Sequence, residues 1–325
     1  MSRPRILLVY RVDSPFILAD RDLLGRHFDV IEFDWRQHPH PARALAWWMV
    51  RHRKEFDLAF FWFGAGHATV GTRVARLLRK PSVIQVGGFD VSDIPDYGFL
   101  SRPRQLRWAR GHFHRASRIL VVSEALLRTV VARFPDAAPR ALVLPTGVDV
   151  ERFRPEGSRM PRVLSVAPAD TWPRAHIKGV DRVAAVARAM PEIPFLLIGV
   201  APEIAPRIQR PANLEVRGHV SQADLVPEYQ ASAVYLQASR SEGMPNAVME
   251  AMACGCVPVV TAVGGMPELV ADTGFVVPVA GDLVSAIRKA LVAGARGELA
   301  RARVVARFST RQREEGLVRL FKELL

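Results

Sequence analysis

The residues from Ser241 to Gly255, SEGMPNAVMEAMACG, constrain this chain more than any other stretch. Pro245 suits a first helical position, because its missing N–H would have no partner inside the helix and its φ is already helical. A helix is therefore expected from about Pro245, with the amides of Asn246, Ala247 and Val248 free in its first turn. They lie at the positive end of the helix dipole, which favours a diphosphate or another anion. Val248, Met249, Ala251, Met252, Ala253 and Cys254 make the helix apolar nearly all round, the pattern of a buried helix rather than an amphipathic one.

Glu250 falls one turn beyond Asn246 on the same side. A carboxylate inside such a helix is costly unless it is hydrogen-bonded. One partner would be an Arg, of which the chain has many; sugar or ribose hydroxyls are the other. Glu242 stands just ahead of the same helix, separated from it by Gly243 and Met244.

At 325 residues the chain exceeds the length over which one core usually keeps growing, so two domains are expected. Cys254 and Cys256 are too close for an ordinary disulfide and too few for a zinc site, and read as small buried side chains in a reducing compartment. Arg3 and Arg5 lead straight into the apolar run Ile6 to Tyr10, unlike a secretory leader, and no run reaches the length of a membrane span. The expectation is a cytoplasmic protein, soluble or peripheral on the inner face of the plasma membrane. The net charge is +13, and residues 1–150 carry 23 basic against 14 acidic side chains, so the excess lies in the first half.

Short apolar runs at Ile6 to Tyr10, Asp29 to Phe33, Asp57 to Phe61, Ser82 to Val86 and Ile119 to Ser123 read as buried parallel strands. Residues 11–20 between the first two are expected as a loop leading into a helix. From Ala42 to Lys54 a helical pattern places Leu45, Trp48, Met49 and His52 on one face, with Arg43, Arg51, Arg53 and Lys54 around the rim. This suits either a helix resting on anionic lipid or one packed on its own sheet. His67 opens a helix and reads as a cleft residue or as a structural one. Asp90 follows the strand Ser82 to Val86 at its carboxyl end, where open α/β sheets bind ligands. Arg102 to Arg118 interleaves Arg with Trp108, Phe113 and two His, which suits nucleic acid, a phosphate-bearing ligand, or simply a solvated face.

The string of Glu242, seven residues, Glu250, and then EAMACGCVPVVTAVGGMPELV resembles the family-4 retaining glycosyltransferases of the GT-B fold almost residue for residue over residues 239–270. Lys178-Gly179, the strand FLLIG ending at Gly199, and ALVLPTGVD at residues 141–149 are similar to further pieces of that family. The resemblance implies an α/β fold of two Rossmann-like domains facing a cleft: 1–155 on the acceptor side, 156–308 binding the nucleotide sugar, and a helix at 309–325 crossing back to the first domain. It implies a donor of the UDP- or GDP-sugar type, a saccharide or lipid-linked acceptor, and no metal or further cofactor.

In that picture Glu242 touches the donor-sugar hydroxyls and Glu250 the ribose. Lys178 and the first-turn amides of Asn246, Ala247 and Val248, framed by Gly243, Met244 and Pro245, hold the diphosphate. Gly199 lets the nucleotide approach, and His219 and Val220 lie nearest the base. Asp90 is the acceptor-side candidate. Ala167 and Pro168 stand where the family has Gly-Arg, leaving Arg174, in the loop TWPRAHIK, as the candidate second phosphate clamp. The other classes are a nucleotide-sugar-binding protein without transfer activity and a basic RNA-binding protein on the same scaffold, although the intact Glu242, Glu250 and Lys178 make nucleic acid the lesser expectation.

Overall fold

A computed structural model describes residues 3–325 and divides into two compact units, one comprising the chain up to Thr146 together with Arg311–Leu325 and the other Gly147–Thr310. In the first unit the strands are β1 (Arg5–Tyr10), β2 (Asp29–Asp34), β3 (Leu58–Trp62), β4 (Ser82–Val86), β5 (Arg118–Val121) and β6 (Ala141–Val143). Helices α1 (Pro15–Gly25), α2 (Pro41–Arg51), α3 (Gly66–Leu77), α4 (Pro103–Arg115) and α5 (Glu124–Arg133) connect them. The sheet is parallel throughout, in the order β2-β1-β3-β4-β5-β6. Its inner strands are apolar on both faces, as a sheet covered by crossover helices requires. The loop expected at residues 11–20 is shorter than the sequence suggests, because Pro15 starts α1 at its first position.

The second unit holds β7 (Met160–Ala169), β8 (Phe195–Val200), β9 (Leu214–Arg217), β10 (Ser232–Gln237), β11 (Val257–Thr261) and β12 (Phe275–Val277). Its helices are α6 (Trp172–Ile177), α7 (Val180–Ala189), α8 (Gln222–Ala231), α9 (Asn246–Ala253), α10 (Met266–Val270), α11 (Leu283–Leu291) and α12 (Ala295–Arg307). The strand order β12-β11-β10-β7-β8-β9 is that of a doubly wound sheet, with the reversal between β7 and β10. Ligands of such sheets bind in the crevice outside the strand carboxyl ends at that reversal.

Residues 147–155 belong with the second unit, not with the first as expected. Val148 donates to Phe308 O at 2.9 Å and accepts from Thr310 N at 3.0 Å, and Arg301 reaches Phe153 O at 3.0 Å. These bonds hold the segment in the second unit, so the division falls before residue 155.

The last helix, α13 (Thr310–Leu324), packs in the first unit, where Leu317, Leu320 and Phe321 are buried in one cluster with Ile6, Phe28 and Phe60. Arg313 is buried beside them: its Nε and Nη2 donate to Asp20 at 2.9 and 2.6 Å, Nη2 also to Gln85 Oε1 at 2.8 Å, and Nη1 to Leu144 O at 3.0 Å. Among the described residues no helix is long and apolar enough to cross a membrane.

Candidate functional site

Lys178 and Glu242 flank the reversal in the second unit's sheet, one following β7 through α6 and the other following β10. Lys178 Nζ donates to both oxygens of Glu242, at 2.8 and 2.9 Å. Glu242 Oε1 also accepts from Ser239 Oγ at 2.8 Å and Gln237 Nε2 at 3.1 Å. Both charged side chains are largely withdrawn from water, 16% exposed for Lys178 and 7% for Glu242. Gly179 permits this placement: its φ of +72° ends α6 in a left-handed turn, and a Cβ there would collide with Ala238 O.

Pro245 stands one position earlier than expected. Its backbone is extended and caps α9, whose first residue is Asn246. The Val248 amide is not free either, since it donates to the Pro245 carbonyl at 3.2 Å. The 242–245 loop is held from the other side by the turn after β11, where Gly265 N donates to Gly243 O at 2.7 Å. Gly264 lies against Glu242 O with φ +55°, and no side chain fits there.

Glu250 answers its burial with protein partners. Tyr229 Oη donates to Oε2 at 2.9 Å and Gln222 Nε2 to Oε1 at 3.0 Å, while burial pushes its pKa up against those two bonds. Its protein partners are thus a tyrosine and a glutamine rather than an Arg, and a carboxylate with two acceptor oxygens still has lone pairs for a ligand hydroxyl. Gln222 and Tyr229, seven residues apart on α8, share a helix face; that spacing was the available signal for them. Gln237 and Ser239, two apart at the end of β10, were equally readable as a polar pair on one strand face and carried no site assignment.

The remaining candidates are more scattered. Arg174 lies in α6 rather than in a loop, is half exposed and pairs with Asp170 at 3.6 Å. Its position one turn before Lys178 comes from the helix itself. Gly199 has φ +101° at the end of β8, and its amide donates to Gly218 O at 3.1 Å. His219 is exposed and Val220 partly buried in the following loop.

Asp90 is enclosed by its own loops. It is fully buried, Oδ2 accepting from Gly64 N at 2.8 Å and Oδ1 from Gly88 N at 2.9 Å and Gly87 N at 3.1 Å. The carboxylate ties together the two loops that leave β3 and β4, and burial raises its pKa to about 6 despite those donors. His67 is likewise enclosed, its Nε2 bonded to Trp62 O at 2.7 Å.

On α2 the expected apolar face turns inward: Leu45 and Met49 are buried, and Trp48 stacks on His52 at 4.9 Å. What remains outside is a stripe of Arg43, Trp47, Val50 and Arg51, with Lys54 exposed in the turn beyond the helix and Trp47 64% exposed.

Two Rossmann-like units, each a six-stranded parallel sheet, define a GT-B protein. Among solved structures the chain is similar to the sucrose-phosphate synthase of Thermosynechococcus elongatus, at 18% identity and TM-score 0.82 over 99% of both chains. It is also similar to Anabaena HepE in complex with UDP, at 17% identity and TM-score 0.79 over 98% of this chain and 100% of that one. Residues 7–152 match the model described as Glycosyltransferase Family 4 and residues 162–293 that described as Glycosyl transferases group 1; the chain belongs to this glycosyltransferase family.

Curated relatives match over a smaller part of the chain. A phosphatidylinositol N-acetylglucosaminyltransferase component of Arabidopsis thaliana is 25% identical over 60% of this chain, and the D-inositol 3-phosphate glycosyltransferase of Mycobacterium tuberculosis is 28% identical over 65%. The matches span about half of those relatives' lengths, 46% and 49%.

Proposed function

We propose that the protein is a retaining glycosyltransferase that moves a sugar from a nucleoside diphosphate donor of the UDP or GDP type to a saccharide or lipid-linked acceptor. The observation that carries this reading is the Lys178–Glu242 pair at the sheet reversal, set directly before α9 with Glu250 one turn inside it. Glu242 meets the donor-sugar hydroxyls, and Lys178 with the first turn of α9 meets the diphosphate. Glu250 accepts from the ribose. Arg174 adds a second cation on the phosphates, with Gly199, His219 and Val220 on the nucleotide side.

Transfer breaks the bond from the anomeric carbon to the phosphate oxygen, and the diphosphate leaves with the electron pair. The acceptor oxygen forms the new bond on the same face and gives its proton to the leaving phosphate. A fixed ammonium and a helix terminus stabilise the charge that develops on that phosphate. With Asp90 enclosed, none of the candidate side chains is left as a nucleophile, in keeping with this course.

The stripe of Arg43, Trp47, Val50 and Arg51 on α2, with Lys54 just beyond it, supports a peripheral contact with anionic lipid, narrower than the sequence alone suggests.

The deciding experiment is thermal stability against UDP, GDP and their sugars, with Glu250→Ala beside the wild type. Ligand at 100 times its Kd stabilises the native state by about 2.7 kcal/mol, a readable melting shift. A shift with one base that Glu250→Ala abolishes upholds the assignment; an unchanged shift in the variant removes Glu250 from the site.

A further inference from the structure

The first unit contains a second cluster of charge at the opposite end of its sheet from Asp90. A cavity of about 780 Å³ opens beside Pro81 and Ser117, where β4 and β5 begin. Its walls carry Arg76, Arg79, Lys80, Arg115 and Arg140 against a single carboxylate, Asp136. Two helices, α3 and α4, point their carboxyl ends at it, and cations there offset the helix dipoles. That ordinary role is too small for the charge present. Each helix end is worth about half a negative charge, so the two ends, Asp136, and Asp57, which lies 3.9 Å from Lys80, together neutralise about three of the five cations and leave about two.

Two further features separate this cavity from a solvated basic surface. Arg140 is bound into the wall, donating to the carbonyls of His114 and Ala116 at 2.7 Å and of Asp136 at 2.6 Å. Arg115 is held only by long contacts of 3.4 Å to Thr72 Oγ1 and Thr69 O, and burial and the neighbouring Arg73 and Arg76 push its pKa down. Helix α3 then ends in a Schellman turn, with Lys80 N on Ala75 O at 2.9 Å and Arg79 N on Arg76 O at 3.1 Å. The residue with positive φ in that turn is normally glycine; here it is Arg79, at φ +55°. The chain thus accepts backbone strain at a position where the side chain adds a cation to the cavity, and residues held in such strained conformations cluster at functional sites.

We propose that this cavity is a binding site for a phosphate-bearing polyanion, separate from the donor site. Arg76, Arg79 and Lys80 contact the phosphate oxygens, and Arg115 and Arg140 form the floor. Ser117 Oγ accepts from Ser82 N at 3.1 Å and keeps its own proton as a further donor. The ligand is a free polyphosphate or the phosphate of a lipid headgroup, and the site rests on none of the residues assigned to glycosyl transfer.

The test uses the full chain carrying Arg43→Ser/Trp47→Ser/Arg51→Ser, which removes the cations and the exposed indole of the α2 stripe from any lipid signal. Tripolyphosphate is titrated calorimetrically, and vesicles of phosphatidylcholine with and without phosphatidic acid are used in sedimentation. Arg76 and Arg79 are exposed, so Arg76→Glu/Arg79→Glu should fold and should bind at least about tenfold more weakly. Arg79→Gly should melt no lower than its parent yet bind more weakly, a combination that a purely structural arginine would not give. Tripolyphosphate binding lost in the double variant identifies a soluble ligand; binding only to phosphatidic acid vesicles, lost in the same variant, identifies a lipid phosphate. Absence of both signals, or equal binding by the double variant, overturns the proposal.

Discussion

Lys178 and Glu242 are 64 positions apart and largely buried, so each is the other's main source of neutralisation. Removing one partner of such a pair strands a charge, and Lys178→Ala is expected to cost about 3 kcal/mol in folding stability as well as nearly all transfer. Lys178→Met/Glu242→Gln should recover most of the stability and none of the activity, a separation that a double-mutant cycle in urea would resolve. A second group of residues sets the response to acid. His67 and His112 are buried, and burial lowers their pKa values to about 4 and about 3, whereas Asp90 is raised to about 6. The unfolded chain protonates both histidines near pH 6.5, so their contribution is complete above that pH and drains away as pH falls towards 4. Asp90 works in the opposite direction, being protonated in the folded state first and losing its contribution as pH rises from about 4 to 6. Two histidines outweigh one aspartate, and stability should fall between pH 6.5 and 4.5. His67→Gln/His112→Asn keeps the donors to Trp62 O and Thr69 Oγ1 and should flatten or reverse that slope in guanidinium titrations; an unchanged slope would place the acid sensitivity elsewhere. The sequence leaves His67 open between a cleft and a structural role and makes Asp90 look like a cleft residue, because both follow the carboxyl ends of strands. Whether such a residue faces outward or is folded under its own loop depends on three glycine amides that no motif records.

Among the elements, α9 was the most legible. Its apolar surface predicted burial, and Val248, Met249, Ala251, Met252 and Ala253 are all fully buried. What the sequence could not give was the first turn, because Pro245 fits both a first helical position and the cap before it, and the choice is made by neighbouring structure. The turn at Gly264 and Gly265 belongs to that choice: it reaches across from the end of β11 and fixes residues 242 and 243. Gly264→Ala forces a Cβ into a left-handed residue and against Glu242 O, so the loop must move. The expected result is a loss of about 2 kcal/mol in stability and a larger loss of nucleotide binding, followed by calorimetric titration with UDP. Retained affinity at lowered stability would mean that the 242–243 loop is not part of the donor site. Helix α2 shows the opposite balance of information. Its periodicity correctly placed Leu45 and Met49 together, but a face that can pack on a sheet and one that can rest on lipid share the same pattern; only the outward position of Trp47 separates them.

At the scale of the whole chain, the apolar strand runs are enough to write down a parallel sheet in the first half, because strands buried on both faces leave little choice of period, whereas the second sheet is implied by the family resemblance. The division between units is harder, since the resemblance puts it after residue 155 whereas the backbone bonds of Val148 put it earlier. The return of the last helix is also only half visible: Leu317, Leu320 and Phe321 announce an apolar face, and nothing in the helix pattern announces Arg313. Yet Arg313 is the residue that commits α13 to the first unit, joining Asp20, Gln85 and the carbonyl of Leu144 from three separate elements. Arg313→Ala leaves Asp20 buried with only the Trp62 indole N–H at 2.9 Å, and should destabilise the first unit by about 3–5 kcal/mol. The donor-side candidates Lys178, Glu242 and Glu250 lie in the other unit, so affinity for UDP measured well below the melting range should stay within about twofold of wild type. Calorimetric scanning with and without UDP reads both quantities on one sample. A lower melting temperature with undiminished UDP stabilisation is the expected outcome. If UDP affinity falls with stability, nucleotide binding draws on the first unit as well, and α13 becomes part of the donor site's support.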